Sequence, residues 1–160
     1  MTGHVGGRGR KAKPGRITFV GSGPGDPGLL TTRARTVLAN AACVFTDPDV
    51  PEAVLKLVGV DLPPAAGPAP EGAVPAAGDQ TAPSVVSTGP DVRPALGEPA
   101  EVAKTLVAEA KAGADVVRLV AGDPMSVDSV ITEVHAVTRS HLQFEIVPGL
   151  PATVAVPSYA

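Results

Sequence analysis

The sequence predicts an α/β domain with a mainly parallel sheet flanked by helices. Short β-branched and apolar runs alternate along the chain with segments whose apolar residues recur at helical spacing. Three of these runs end in unusual turns: GSGPGDPG (21–28), AGDP (121–124) and VPGLP (147–151). Because ligands of open α/β sheets bind at the carboxyl ends of the strands, we expect these turns to converge on one pocket.

The first strand and helix are predicted from the run that precedes the glycine-rich turn. Residues 16–20 are apolar and β-branched and lead directly into glycine, which is typical of a buried strand. A helix is expected to follow, with Asp26 as its N-cap and Pro27 at its first position, and Asn40 is expected to close it.

A second strand and helix follow, and then the composition changes. Residues 42–45 predict a strand that ends near Asp47, and residues 51–58 predict a short helix. The stretch 59–98 is dominated by proline, alanine and glycine, so it lacks the apolar surface needed to offset its ordering entropy. We expect it to be a disordered, low-complexity insert, within which Val85-Val86 is a candidate remnant strand.

Regular structure is predicted again after the insert. The expected elements are a helix over 98–111, a strand over 115–120, a helix over 129–137 and a strand over 144–147. Gly113 is placed to end the first of these helices. Residues 151–160 predict either a helix or a linker.

Composition and charge exclude several classes of partner. A chain of 160 residues with net charge −3 has no electrostatic footprint for nucleic acid or an anionic membrane. No apolar run approaches the ~20 residues that span a bilayer. The basic, glycine-rich residues 1–15 are expected to form a disordered tail. Cys43 is the only cysteine, which excludes an internal disulfide and fits a reducing, cytoplasmic environment.

The turn 21–28 does not match a phosphate loop. Leu29 and Leu30 occupy the positions where a Walker loop needs lysine and serine or threonine. Asp26 replaces the third glycine of a dinucleotide fingerprint, where it would repel a pyrophosphate. Asp47 nevertheless lies about where a ribose-binding acid would be, so a nicotinamide-binding module stays an alternative. Under that alternative, Asp26→Gly should improve dinucleotide binding, whereas otherwise it should damage the turn.

Four segments occur in an order that is characteristic of one family. They are VGSGPGDPGLLTTRA (20–34), ACVFTD (42–47), AKAGADVVRLVAGDP (110–124) and FEIVPGLPATVAVPSYA (144–160). They resemble the tetrapyrrole methylases, S-adenosylmethionine-dependent enzymes that include uroporphyrinogen-III C-methyltransferase. The resemblance covers 17–58 and 99–160. It implies an N-terminal, cofactor-binding domain over 16–160, with the family's C-terminal domain absent from the sequence.

The resemblance implies S-adenosylmethionine as methyl donor, without a metal, in a cleft between two α/β domains. The positions that match the family's cofactor contacts are Pro24, Ala121, Gly122, Asp123, Ser126, Pro151 and Ala152. Small residues let the backbone approach the cofactor, and Asp123 could accept hydrogen bonds from its amino or hydroxyl groups. The alternative for Asp123 is a turn or cap residue.

The resemblance also implies a reaction and a catalytic residue. Asp47 matches the acid at the end of the family's second strand, a candidate acceptor for the proton that a methylated pyrrole releases. The alternative is a solvated aspartate at a strand end. The implied substrate is a small tetrapyrrole, uroporphyrinogen III, converted to precorrin-2 for sirohaem and cobalamin. Its carboxylates call for arginines, and Arg93 and Arg118 are the only arginines in the middle of the chain, so cofactor binding is better supported than tetrapyrrole binding. The family tends to form homodimers.

The sequence departs from the family at two motif positions. Thr46 replaces the tyrosine before the acid, and Ala121 replaces the first glycine of the Gly-Gly-Asp-Pro motif. These departures keep two further alternatives open. One is a methylase of the same family with a different substrate, and the other is a non-catalytic remnant or binding domain.

Overall fold

The computed structural model describes residues 13–60 and 89–151. Its strands are β1 (Ile17–Gly21), β2 (Cys43–Thr46), β3 (Asp91–Pro94), β4 (Val116–Val120) and β5 (Phe144–Val147). Its helices are α1 (Thr32–Ala39), α2 (Glu52–Val60), α3 (Pro99–Lys111) and α4 (Asp128–Thr138), with short 3-10 helices at Pro27–Leu29 and Pro124–Ser126. None of the helices in the two described ranges is long and apolar enough to cross a membrane.

The strands form one parallel sheet in the order β3-β2-β4-β1-β5, which confirms the predicted fold class. Helices α1 and α2 pack on one face and α3 and α4 on the other. The chain leaves β1 and β2 toward the first face, but it leaves β4, which lies between them, toward the second. The carboxyl end of β4 is therefore the point at which the connections reverse, where open α/β sheets bind their ligands.

The core consists of two apolar layers that share the sheet. Alternate residues of each strand enter opposite layers, so Ile17 and Phe19 contact α3 and α4, whereas Val20 contacts the α1 and α2 side. All five residues of β1 and all five of β4 are buried. Continuous burial is expected for parallel strands that are covered on both faces.

The helix predicted to begin after Asp26 is divided into two pieces, so that prediction was wrong in its boundary. Asp26 caps only a 3-10 turn, because its Oδ1 accepts the Gly28 N–H at 2.8 Å. Leu30 and Thr31 are extended, and α1 begins with its own cap, since Thr31 Oγ1 accepts the Ala34 N–H at 3.1 Å. Asn40 closes α1 as predicted.

Strand β3 lies inside the stretch 59–98 that composition predicted to be a disordered insert, and α2 extends to Val60. Residues 91–94 are exposed, but their backbone pairs with the whole of β2. An edge strand of this kind needs little apolar burial, and this is why composition missed it. Residues 61–88, with the remnant strand suggested at 85–86, lie outside the described residues. The tail over 1–12 and residues 152–160 do so as well.

Candidate functional site

The turns that follow β1, β4 and β5 meet at one point on the carboxyl edge of the sheet. Gly23 and Gly122 exchange two backbone hydrogen bonds of 3.2 and 3.0 Å. A Cβ atom on either Gly21 or Gly149 would overlap the Gly122 carbonyl oxygen. Three segments distant in sequence are thus packed backbone against backbone, which confirms the predicted convergence of the turns.

Gly122 differs from Gly21 and Gly149 because its outer side, where a Cβ would lie, is open. Its φ is +69°, and among the described residues other than its two chain neighbours no heavy atom lies within 4 Å of the position that a Cβ would occupy. Glycine is favoured here by the backbone conformation, and the described residues leave the space beside it open to a ligand. This cradle of small residues fits the cofactor that the sequence resemblance implies.

Asp123 joins two of the three turns. Its Oδ1 accepts the Gly149 N–H and its Oδ2 accepts the Ser126 hydroxyl, each at 3.3 Å. Both distances are at the long end for hydrogen bonds, so the carboxylate keeps most of its capacity to accept from a ligand. These contacts hold the Asp123 side chain between the turn after β4 and the turn after β5.

The other predicted cofactor residues flank this cluster. Pro24 is half-buried in the turn after β1, and Pro151 is half-buried at the end of the turn after β5. The two turns approach each other, since a Cβ on Gly23 would lie 4.0 Å from the Leu150 nitrogen. Ala152 lies outside the described residues.

Asp47, the predicted proton acceptor, is held separately, directly after the end of β2, the neighbour of β4. Its Oδ1 accepts a hydrogen bond of 2.7 Å from Arg118 Nη2, and its backbone N–H donates to the Leu119 carbonyl at 3.0 Å. Its side chain is 20% exposed. The structure therefore holds Asp47 at the carboxyl edge by its backbone and by one carboxylate oxygen.

Arg118 is a buried cation in the middle of the sheet. Its Nε and Nη2 donate to the two carboxylate oxygens of Glu133 on α4, at 2.8 and 3.0 Å. Arg118 is 2% exposed and Glu133 is 1% exposed. Burial opposes the charge of Arg118, but the hydrogen bonds and charges of Glu133 and Asp47 outweigh it and raise the pKa of Arg118 above its ordinary value.

Sequence reasoning missed Glu133 and considered Arg118 only as one of two arginines in the middle of the chain that the carboxylates of a substrate would need. The pattern does contain a signal, because a charged residue in the apolar run VVRLV needs a buried partner. Glu133 supplies it from the apolar face of α4, at helical spacing from the buried Val130 and Val137. Arg93 is also paired, with Asp91 and Glu109. Both guanidinium groups are thus already engaged by carboxylates of this chain.

A cavity lies at the opposite, amino edge of the sheet. It has a volume of about 530 Å³ and lies beside the starts of β1, β4 and β5. Charged and polar side chains line it, including Lys13, Arg16, Arg33, Asn40 and Glu145. Two of these arginines pair with Glu145, so the charges of this cavity largely satisfy one another. None of the predicted site residues within 13–60 and 89–151 lines it.

Comparison with known proteins identifies similar sequences. The family model described as Tetrapyrrole (Corrin/Porphyrin) Methylases matches residues 16–160. An S-adenosyl-L-methionine-dependent uroporphyrinogen III methyltransferase from Methanosarcina barkeri is 32% identical over 91% of this chain and 49% of its own length. Siroheme synthase 1 from Klebsiella pneumoniae is 34% identical over 91% of this chain and 26% of its own.

Solved structures give the same result. Uroporphyrin-III C-methyl transferase from Thermus thermophilus, complexed with S-adenosyl homocysteine, is 31% identical with a TM-score of 0.65. The similarity covers 89% of this chain and 52% of that one. The chain therefore spans about half the length of the M. barkeri methyltransferase and of the T. thermophilus structure.

Proposed function

Because the chain belongs to the tetrapyrrole methylase family, we propose that it is the cofactor-binding part of an S-adenosylmethionine-dependent methyltransferase. The proposed reaction is C-methylation of uroporphyrinogen III to precorrin-2, on the route to sirohaem and cobalamin. The observation that carries the proposal is the meeting of three turns at the backbone of Gly122, whose outer side is open and which precedes Asp123. A cytoplasmic location and a homodimer stay predictions.

The proposed cofactor contacts are made by backbone and by one carboxylate. Ala121 and Gly122 present little side chain, so their backbone groups are accessible to a ligand. Asp123 accepts from amino or hydroxyl groups, and its two long hydrogen bonds keep it in place while it does so. S-adenosylmethionine, when bound, supplies an electrophilic methyl group on a sulfonium. The T. thermophilus complex with S-adenosyl homocysteine supports this choice of cofactor.

The proposed proton acceptor is Asp47. A pyrrole carbon that gains a methyl group must lose a proton, and a carboxylate at the edge of the site suits that role. Arg118 occupies only Oδ1, and no hydrogen bond from the described residues reaches Oδ2. Asp47 therefore keeps one oxygen for the substrate. The M. barkeri relative, a uroporphyrinogen III methyltransferase, supports a uroporphyrinogen III substrate.

Calorimetric titration of the chain with S-adenosylhomocysteine tests the cofactor site. We expect Asp123→Asn to weaken binding about tenfold or more, because it removes a charged acceptor while conserving shape. Asp128→Asn, on an exposed aspartate at the start of α4, is the matched control and should leave the affinity unchanged.

Two results would contradict the proposal. One is equal affinity of the Asp123→Asn variant and the unmodified chain. The other is tighter binding of a nicotinamide dinucleotide than of S-adenosylhomocysteine, which would favour the dinucleotide-binding alternative.

A further inference from the structure

Asp47, Arg118 and Glu133 form a charged cluster that lies beneath the carboxyl edge of the sheet. We propose that Arg118 is the positioning residue for Asp47. We further propose that Glu133 limits how far the positive charge of the Arg118 guanidinium weakens Asp47 as a base. The inference rests on the proposed function of Asp47 as proton acceptor. It assigns roles to two buried residues that do not themselves contact a substrate.

Hydrogen bonds to Glu133 and Leu119 fix the orientation of the Arg118 guanidinium independently of its contact with Asp47. Glu133 binds Nε and Nη2 through both of its oxygens, at 2.8 and 3.0 Å. Nη1 donates to the Leu119 carbonyl at 3.3 Å. With contacts on three sides, the planar group cannot rotate without breaking several hydrogen bonds. Nη2 is therefore presented to Asp47 in a single position.

The same carbonyl ties Asp47 to the cluster. Leu119 oxygen accepts from the Asp47 backbone N–H at 3.0 Å as well as from Arg118. The Asp47 side chain adds the 2.7 Å hydrogen bond from Nη2 to Oδ1. Backbone and carboxylate are thus both anchored to β4, whereas Oδ2 receives no hydrogen bond from the described residues. An anchored base with one available oxygen is what directed proton transfer needs.

The charges explain why two carboxylates share one guanidinium. A lone arginine beside an aspartate would make that aspartate a weak base. Here the buried Glu133 accepts hydrogen bonds from both Nε and Nη2 of Arg118, and its negative charge offsets most of the positive charge of the guanidinium. Asp49, on the same turn as Asp47, is exposed, and Arg93 and Glu109 from β3 and α3 pair with each other. Among the described residues, Arg118 and Glu133 are therefore the charged groups that control the strength of Asp47 as a base.

Carbon-13 NMR of the full chain, labelled at aspartate Cγ, measures the titration midpoint of Asp47 directly. Loss of one signal in Asp47→Asn assigns the resonance. Glu133→Gln should lower the midpoint, because the guanidinium charge is no longer offset. The double variant Arg118→Met/Glu133→Leu should raise it by about one pH unit, because the cation is lost and the surroundings become apolar. Arg93→Met, which removes a guanidinium paired elsewhere, should leave it unchanged.

An Asp47 midpoint that stays the same in both variants would overturn the proposal, as would a rise in Glu133→Gln. If Glu133→Gln does not fold, the double variant decides alone, since it replaces the buried pair with apolar side chains of similar volume. A purely structural ion pair would change the unfolding midpoint and not the titration of Asp47. The measurement needs no cofactor or substrate, so it stands apart from the test of S-adenosylhomocysteine binding.

Discussion

At the residue scale, the glycines of the carboxyl edge have two different physical roles. Gly21 and Gly149 allow close packing of backbones, because a Cβ at either position would overlap the Gly122 carbonyl. Gly122 instead supplies a positive φ beside open space. The sequence shows that these positions are glycines, but only the structure distinguishes a packing role from a conformational one.

This distinction predicts different outcomes for two alanine substitutions. Gly149→Ala should lower the free energy of unfolding by about 3 kcal/mol, since rigid backbone must move to admit a methyl group. Gly122→Ala should cost only about 1 kcal/mol, from its left-handed φ, but should weaken S-adenosylhomocysteine binding by filling the space beside the loop. Urea unfolding and calorimetry measure the two effects. Equal stability losses in the two variants would contradict the assignment.

Single residues also mark the limit of what the sequence could reveal. Asp47, Asp123 and Ser126 could be singled out because they lie in motifs at strand ends. Glu133 lies 15 positions from Arg118 in a helix that was predicted without a functional residue, and their pairing depends on the packing of α4 against β4. Such a pair is visible beforehand only as two charges at positions that should be apolar.

At the scale of elements, strands and helices with strong apolar patterns were predicted to within about two residues. The errors lie where local hydrogen bonds decide which secondary structure forms. Thr31 competes with Asp26 as a cap, so one predicted helix became a 3-10 turn followed by α1. Strand β3 depends on main-chain pairing with β2 and on Arg93, which stacks 5.8 Å from the centre of the Phe45 ring. Neither effect has a clear compositional signature.

The cap of α1 provides a test at this scale. Thr31→Ala removes the acceptor for the Ala34 N–H and should cost about 1 kcal/mol of unfolding free energy. Thr105→Ala, at an exposed position inside α3, is the control and should be neutral or slightly stabilising, because alanine is the better helix former. Denaturant unfolding followed by circular dichroism compares them. A cost in Thr105→Ala as large as that in Thr31→Ala would argue against the capping role.

At the scale of the whole molecule, the two ends of the sheet carry different chemistry. The carboxyl edge has the glycine turns, Asp123 and Asp47. The amino edge has the cavity beside Glu145, which joins β5 to α1 through hydrogen bonds of 2.9 and 2.7 Å from Arg33. From the positions of the motifs, the sequence predicted that the turns meet at the carboxyl edge, which the structure confirms; ligand binding at that edge stays a prediction. It did not predict the strand order, because pairing between distant strands leaves no local pattern.

Substitution of Glu145 tests the amino edge of the sheet separately from the carboxyl edge. The hydrogen bond from Arg33 lowers the pKa of Glu145, against a smaller opposing effect of burial. A carboxyl whose pKa falls on folding adds stability above its unfolded pKa and loses it as the pH falls through the folded value. Glu145→Gln should therefore be slightly less stable than the unmodified chain near neutral pH, with the gap closing in acid. The effect is modest because the pair is partly exposed.

Urea midpoints measured at about pH 7 and about pH 3 check this expectation, because these values bracket the titration of glutamate. S-adenosylhomocysteine affinity at neutral pH serves as the internal control and should not change in Glu145→Gln. A stability gap that widens in acid would contradict the ion-pair interpretation, and a loss of affinity would contradict the separation of the two ends.

The order β3-β2-β4-β1-β5 has a consequence for how the chain is made. Both neighbours of strand β1, namely β4 and β5, lie far along the chain from it and are synthesised after it, as the 99-residue separation of Arg16 and its partner Asp115 illustrates. Until then, β1 has neither neighbour to hydrogen-bond with, and its apolar side chains have no sheet to join. Pairings of such long range form slowly. While the residues between β1 and β4 are being synthesised, the nascent chain therefore exposes an unpaired apolar strand, and its yield should depend on chaperone capacity more than its final stability suggests.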